Sequence, residues 1–272
     1  MSDYQEPYCC FDASQYTGTP DTEPVKAPVD VPGIIAGLDR LNNGGREADG
    51  MAYLEQWLAV CREKGDWRAE LTVLSELLGQ YRRRNEREKG IRTVNEALEL
   101  LRAHHMGNTV SGATILLNAA TTMKCFRLAE ESIPVFRHAA RVYAEHLDPL
   151  DYRFAGLYNN MALSYADIGE AENAEKYYRA AIRVLEHCPS PQNDIAATWC
   201  NLAELYEKAD PEDPRIDSSL ENAWENLNDP SLPRDGYHAF TISKCAPTFD
   251  HFGYFLYAAE LKKRAKEIYE GA

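Results

Sequence analysis

Asparagine is an awkward residue inside a helix, costing roughly 0.5 kcal/mol or more against alanine. Asn118, Asn160 and Asn201 nevertheless recur at spacings of 42 and 41 residues. A side-chain amide carries a donor and an acceptor side by side, which matches the N–H and C=O of an extended peptide backbone. The same amide can instead bond a neighbouring element or its own preceding turn. Glu76 and Lys244 continue the row at its two ends, and Thr121, Lys124, Asn159, Glu204 and Lys208 are polar candidates for the same face. One dense basic run, Tyr81-Arg-Arg-Arg-Asn-Glu-Arg-Glu-Lys-Gly90, brings together Arg82, Arg83, Arg84 and Arg87. It suits an acidic partner segment, and equally a solvated helix end that complements the helix dipole.

Other chemistry is harder to assemble. Cys9-Cys10 is an adjacent pair with no second pair at zinc-ligand spacing, and there is no Cys-x-x-Cys. His104 and His105 are sequence neighbours, which a helix points in different directions. No phosphate-binding loop, dinucleotide fingerprint, nucleophile elbow or His-Glu-x-x-His is present. Nothing in the sequence sets a nucleophile beside a base. The expectation is a protein without catalytic residues, metal or cofactor.

The elements that would position the amides follow from a repeat. Ala97, Ala139, Ala181, Ala223 and Ala265 stand at a strict period of 42 residues. Two further columns share it, Gly90, Ser132, Ala174, Ile216 and Ala258, and Val94, Phe136, Tyr178, Leu220 and Lys262; two more, Tyr81, Met123, Tyr165, Tyr206 and Phe249, and Leu78, Ala120, Ala162, Ala203 and Ala246, follow it with spacings of 42, 42, 41 and 43. Inside each period apolar residues recur three and four apart, the helical spacing. In one of them Tyr158, Met161, Ala162 and Tyr165 form one stripe and Ala174, Tyr178, Ala181, Ile182 and Leu185 another, with Gly169 at the turn between. Each period is therefore a helical hairpin, helix A then helix B. The alanines mark close helix approach. The fold class expected is all-α, a solenoid of antiparallel helix hairpins.

The spacing of Tyr158, Met161, Ala162, Tyr165, Gly169, Ala174, Tyr178 and Ala181 resembles the tetratricopeptide repeat (TPR) signature. The usual period is about 34 residues, so eight extra would lengthen each helix by about one turn. Long repeats of this type occur in kinesin light chains and in peptide-sensing regulators of Gram-positive bacteria, and Thr198-Trp-Cys-Asn-Leu-Ala-Glu-Leu-Tyr206 looks like the first helix of such a repeat. The ending, Phe252-Gly-Tyr-Phe and Ala265-Lys-Glu-Ile-Tyr-Glu-Gly-Ala272, is also similar to that of a group of bacterial TPR proteins, a likeness that implies no activity. The resemblance implies a right-handed superhelix whose A helices line a concave groove. In the two long-repeat families asparagines in the matching position grip peptide backbone, which carries to Asn118, Asn160 and Asn201 and fails at Glu76 and Lys244. The paired Lys and Asn set that clamps a terminal carboxylate in chaperone-binding members is absent.

These elements divide the chain into a tail (residues 1–32), a degenerate capping helix pair (33–67) and five repeats: about 68–109, 110–152, 153–194, 195–235 and 236–272. The cap reads as helices over 34–43 and 46–64, and the repeats as one elongated unit. Lys262 replaces the apolar knob of the last repeat, as an outward-facing end requires. The chain of 272 residues holds 43 Asp and Glu against 29 Lys and Arg, a formal net charge of −14. That balance opposes sequence-independent binding to nucleic acid or anionic lipid, and no apolar run approaches a membrane span. The first residues lack a basic and apolar leader, and seven scattered Cys fit a reducing, cytoplasmic setting.

The function implied is a non-catalytic scaffold binding a protein or extended peptide in the groove. The alternative is a regulator whose groove senses a small signalling peptide. The tail holds five prolines, six acids, Lys26 and the aromatics Tyr4, Tyr8, Phe11 and Tyr16. Prolines favour extended chain, so Tyr8 to Tyr16 is expected to dock as a strap on the inner A-helix face or the Arg82–Arg87 patch, competing with outside ligands.

Overall fold

The computed structural model describes residues 11–43 and 46–271. Among them are twelve α-helices and two short 3-10 turns, Ala13–Tyr16 and Met106–Asn108, with no strand. The first pair is α1 (Val31–Asn43) and α2 (Glu47–Lys64). Five hairpins follow, each an A helix and a B helix: α3 (Trp67–Arg84) with α4 (Arg87–Ala103), α5 (Val110–Cys125) with α6 (Ala129–His146), and α7 (Arg153–Asp167) with α8 (Ala171–Leu185). The last two are α9 (Gln192–Ala209) with α10 (Arg215–Leu227), and α11 (Gly236–His251) with α12 (Phe255–Gly271). No helix among the described residues is long and apolar enough to cross a membrane.

The repeated small residues are where helices touch. Ala97, Ala139, Ala181 and Ala223 have no exposed surface, and Ala265 is 6% exposed. Leu78, Ala120, Ala162, Ala203 and Ala246 are buried in turn, and Tyr81, Met123, Tyr165, Tyr206 and Phe249 close the core beside them. Burying one such large side chain is worth roughly 1.5–3 kcal/mol, so the columns carry much of the stability of each hairpin.

The turns obey the same period. Asn85 (φ 56°), Arg127 (φ 68°), Gly169 (φ 81°) and Gly253 (φ 83°) all adopt the left-handed conformation between an A and a B helix. Their numbers differ by 42, 42 and 84, so the backbone corner recurs at the spacing of the alanines. The fourth hairpin lacks it and turns instead through Asp210-Pro-Glu-Asp-Pro214, where Asp213 accepts from the Arg215 backbone N–H at 2.8 Å. Side chains also cap A helices: Asp66 accepts from Ala69 N–H, Thr109 from Gly112 N–H and Asp235 from His238 N–H.

Contacts divide the chain into two compact units, one up to Leu147 and one from Asp148 onward. The 42-residue period of the alanines runs unbroken through this division. In the first unit each helix from α1 to α6 packs on the next, and α3 also lies against α5. In the second unit α7 pairs with α8, α9 with α10 and α11 with α12, while α9 lies against α11.

Candidate functional site

In the first unit the amide row begins on α3 and α5. Asn118 Nδ2 donates to Ser75 Oγ at 2.8 Å, bracing the two A helices. The backbone carbonyl oxygen of Asn118 accepts from Arg82 Nη1 at 3.1 Å, and the same nitrogen reaches Thr122 Oγ1 at 2.9 Å. Burial pulls the Arg82 guanidinium below its ordinary pKa, and burial likewise pushes the Glu76 carboxyl up, against the pull of Arg83 and Arg82. Thr121 Oγ1 turns back to Leu117 O, and Lys124 lies in the last turn of α5.

The basic run is therefore not one patch. Arg82 is tied to α5, Arg87 donates from Nε to Phe126 O at 3.4 Å, and Arg83 and Arg84 stay exposed. Sequence spacing placed four guanidiniums together, whereas helix periodicity sends two of them into the protein.

In the second unit the row crosses α7, α9 and α11. Asn201 Nδ2 donates to Asn159 Oδ1 at 3.3 Å, joining consecutive A helices, and Asn160 Nδ2 bonds Gly156 O one turn back at 2.9 Å. Glu204 accepts from Thr248 Oγ1 at 2.8 Å, and Lys208 is exposed at the end of α9. Lys244 stands with its Nζ 5.5 Å from the centre of the Phe240 ring. Each asparagine of the row thus uses one amide hydrogen inside the protein. The side-chain carbonyl oxygens (Oδ1) of Asn118, Asn160 and Asn201 have no partner among the described residues. Sequence reasoning missed Ser75, Asp194, Tyr237 and Phe240 on these faces. The two aromatics are one helical turn apart and outside every repeat column, a signal that was available.

The tail does dock, though in a different place. Its residues 8–10 lie outside the described residues. Phe11 stacks on Tyr16 with ring centres 4.7 Å apart, and the two rings lie 5.5 and 6.3 Å from His138 of α6. They line a cleft of about 180 Å³ floored by Leu98, Met123 and Val135 and edged by Asn95, Glu99 and Arg102. Tyr16 also presses on Gly107, where an added Cβ would come within 2.4 Å of the Tyr16 Cβ. From there the strap is clasped by the two neighbouring histidines. His105 Nδ1 pairs with Thr17 O and His104 Nδ1 with Asp21 Oδ2, both at 3.1 Å, while Arg68 donates to Asp21 O and Glu23 O. The ring of His104 stacks flat on Trp67 at 3.9 Å.

The expected seat on the A-helix face or the Arg82–Arg87 patch is thus corrected. The aromatics follow apolar surface between α4 and α6, and the Asp21 and Glu23 segment finds His104 and Arg68 instead. Among the described residues the aromatic part of the strap lies beside the B helices α4 and α6, and the segment after it is held by Arg68 at the start of α3. Among the described residues no three His, Cys, Asp or Glu side chains gather as metal ligands; Cys9 and Cys10 lie outside those residues.

Similarity at the level of fold is clear. BtubC (BKLC) from P. vanneervenii aligns with a TM-score of 0.52 and 18% identity, over 90% of this chain and 92% of that one. The nearly identical TPR-like repeats of kinesin light chain type from Podosopora anserina align with a TM-score of 0.51 and 14% identity, over 73% of this chain and 94% of that one. A single-residue variant of those repeats aligns equally well, at 0.51 and 13% identity over 73% and 93%. No sequence-family model matches the chain, and no curated protein matches it. The protein has a TPR-like helical-repeat fold.

Proposed function

We propose that this protein is a non-catalytic scaffold whose A-helix faces hold an extended peptide or a peptide-like segment of a partner protein. The observation that carries the reading is the state of the amide row. Asn118, Asn160 and Asn201 are each anchored through Nδ2, and each keeps an unoccupied carbonyl acceptor at its place in the repeat. An anchored amide loses little rotamer entropy when it accepts a hydrogen bond from a ligand backbone, so its contribution to affinity is preserved. Helical-repeat proteins use their extended faces in this way. The five described cysteines are free thiols, which suits the reducing cytoplasm.

The test is binding of a displayed random-peptide library to the wild type and to Asn118→Ala/Asn160→Ala/Asn201→Ala. The expected outcome is a set of peptides whose affinity for the variant falls about tenfold, as lost backbone hydrogen bonds would give. Identical peptide sets at identical affinity would overturn the reading.

A further inference from the structure

The second unit carries most of the net negative charge of the molecule. Residues 148–272 hold 22 acids against 12 Lys and Arg, so −10 of the net −14 lies there. On its A-helix face two large side chains stand open: Tyr237 and Phe240, at 52% and 51% exposure, one turn apart at the start of α11. Exposed aromatics of this size on an otherwise packed helix mark a contact surface.

Their surroundings select the contact. Tyr237 OH donates to Oδ1 of Asp194, an exposed residue in the first turn of α9, at 2.6 Å. Burial, with that carboxylate beside it, pushes the Tyr237 phenol up and keeps it protonated. Directly behind, His238 Nδ1 pairs with Asn193 Oδ1 at 2.8 Å, and both residues are buried. This inner bond fixes the register of α9 against α11, so the carboxylate and the ring are held side by side before any ligand arrives. The second oxygen of Asp194 has no partner among the described residues. Lys244 leans over Phe240 and leaves the Tyr237 ring as the aromatic face without a cation of its own.

We propose that Asp194 and Tyr237 form a seat for an arginine side chain of a basic, extended partner segment. A guanidinium is planar, stacks on an aromatic face and offers parallel N–H donors to a carboxylate at its edge. The seat satisfies both preferences at once, and the charge of the unit draws a basic segment toward it. The proposal rests on the reading that A-helix faces bind extended peptide, and it names the kind of peptide.

The probe is a fluorescein-labelled peptide Gly-Ser-Gly-Arg-Tyr-Arg-Gly-Ser-Gly, compared with the same peptide carrying Gln for both Arg, each titrated against the full chain. The arginine peptide is expected to bind about tenfold tighter, as one cation–π contact together with one carboxylate contact allows. Asp194→Asn should bring the two affinities within about twofold of each other, and Lys244→Gln, which removes a nearby like charge, should widen the gap. Glu225→Gln, an exposed acid on α10, should leave it unchanged. An unaltered preference in Asp194→Asn, or an equal loss in Glu225→Gln, overturns the seat. Asn160→Ala/Asn201→Ala weakens both peptides alike if the backbone reading holds, so a normal response there with no arginine preference rejects the seat alone. Binding of neither peptide rejects both.

Discussion

The asparagines and Arg127 show how much a single side chain's setting decides. Asn201 braces α9 to α7 through one amide hydrogen, while Asn160 merely bonds its own preceding turn, although both occupy the same column. Arg127 sits at φ 68° where later hairpins place glycine. A Cβ in that conformation costs about 1–2 kcal/mol, partly offset by the extra freedom a glycine has when unfolded. Arg127→Gly should therefore raise stability by roughly 0.5 kcal/mol in chemical denaturation, and Gly169→Arg should lower it by about 1–2 kcal/mol. His138 gives a pH dependence. It pairs through Nε2 with Gly107 O at 3.0 Å, and Arg141 donates to Nδ1 at 2.9 Å, so the ring is neutral. Burial, with Arg141 adding to it and the Gly107 hydrogen bond and Glu145 opposing, lowers its pKa from 6.5. The unfolded chain then binds the proton more readily, so this contribution is complete above pH 6.5 and is lost as pH falls from there through the folded-state pKa. Hydrogen exchange of residues 11–17 should accelerate between pH 7.5 and 5.5, after correction for intrinsic rates, more in the wild type than in His138→Gln.

At the level of elements the alanine columns set the packing distance between helices. Ala181→Leu, at a site with no exposed surface, should cost about 1–3 kcal/mol, and Ala265→Leu on the last helix less. Equal melting temperatures for the two would contradict the packing described. The strap is tested at Gly107, where a methyl group collides with Tyr16. Gly107→Ala should release residues 11–17 to fast hydrogen exchange while leaving the protection of α9 and α11 intact. The hairpins were legible in sequence because a helix must bury every third or fourth residue, and an alanine at a crossing tolerates no larger neighbour. The seat of the strap was not legible. Its acids suggested a basic patch, but Arg82 and Arg87 are engaged by α5 and its following turn, and the cleft that Phe11 and Tyr16 help to line is closed by α4, α5 and α6, some eighty residues or more further along the chain. The arginine seat was likewise hidden, since Asp194 and Tyr237 are 43 residues apart and belong to no repeat column.

For the molecule as a whole, the two units differ in character. The first carries the strap and a net charge of −4, the second −10 and the open aromatic pair. Raised ionic strength should therefore weaken basic ligands of the second unit and leave strap protection, built on ring contacts and short pairs, nearly unchanged. The recurrence of one left-handed corner at Asn85, Arg127, Gly169 and Gly253 has a further consequence. A chain that returns to the same dihedral corner after 42 residues can be lengthened by copying that stretch. Duplicating residues 85–126 would splice one complete B-then-A module between matching joints, whereas inserting 40 or 44 residues would misalign every crossing beyond. This protein is modular in the sense of a ruler, and its natural unit of growth or loss by recombination is the period, wherever the cut is made.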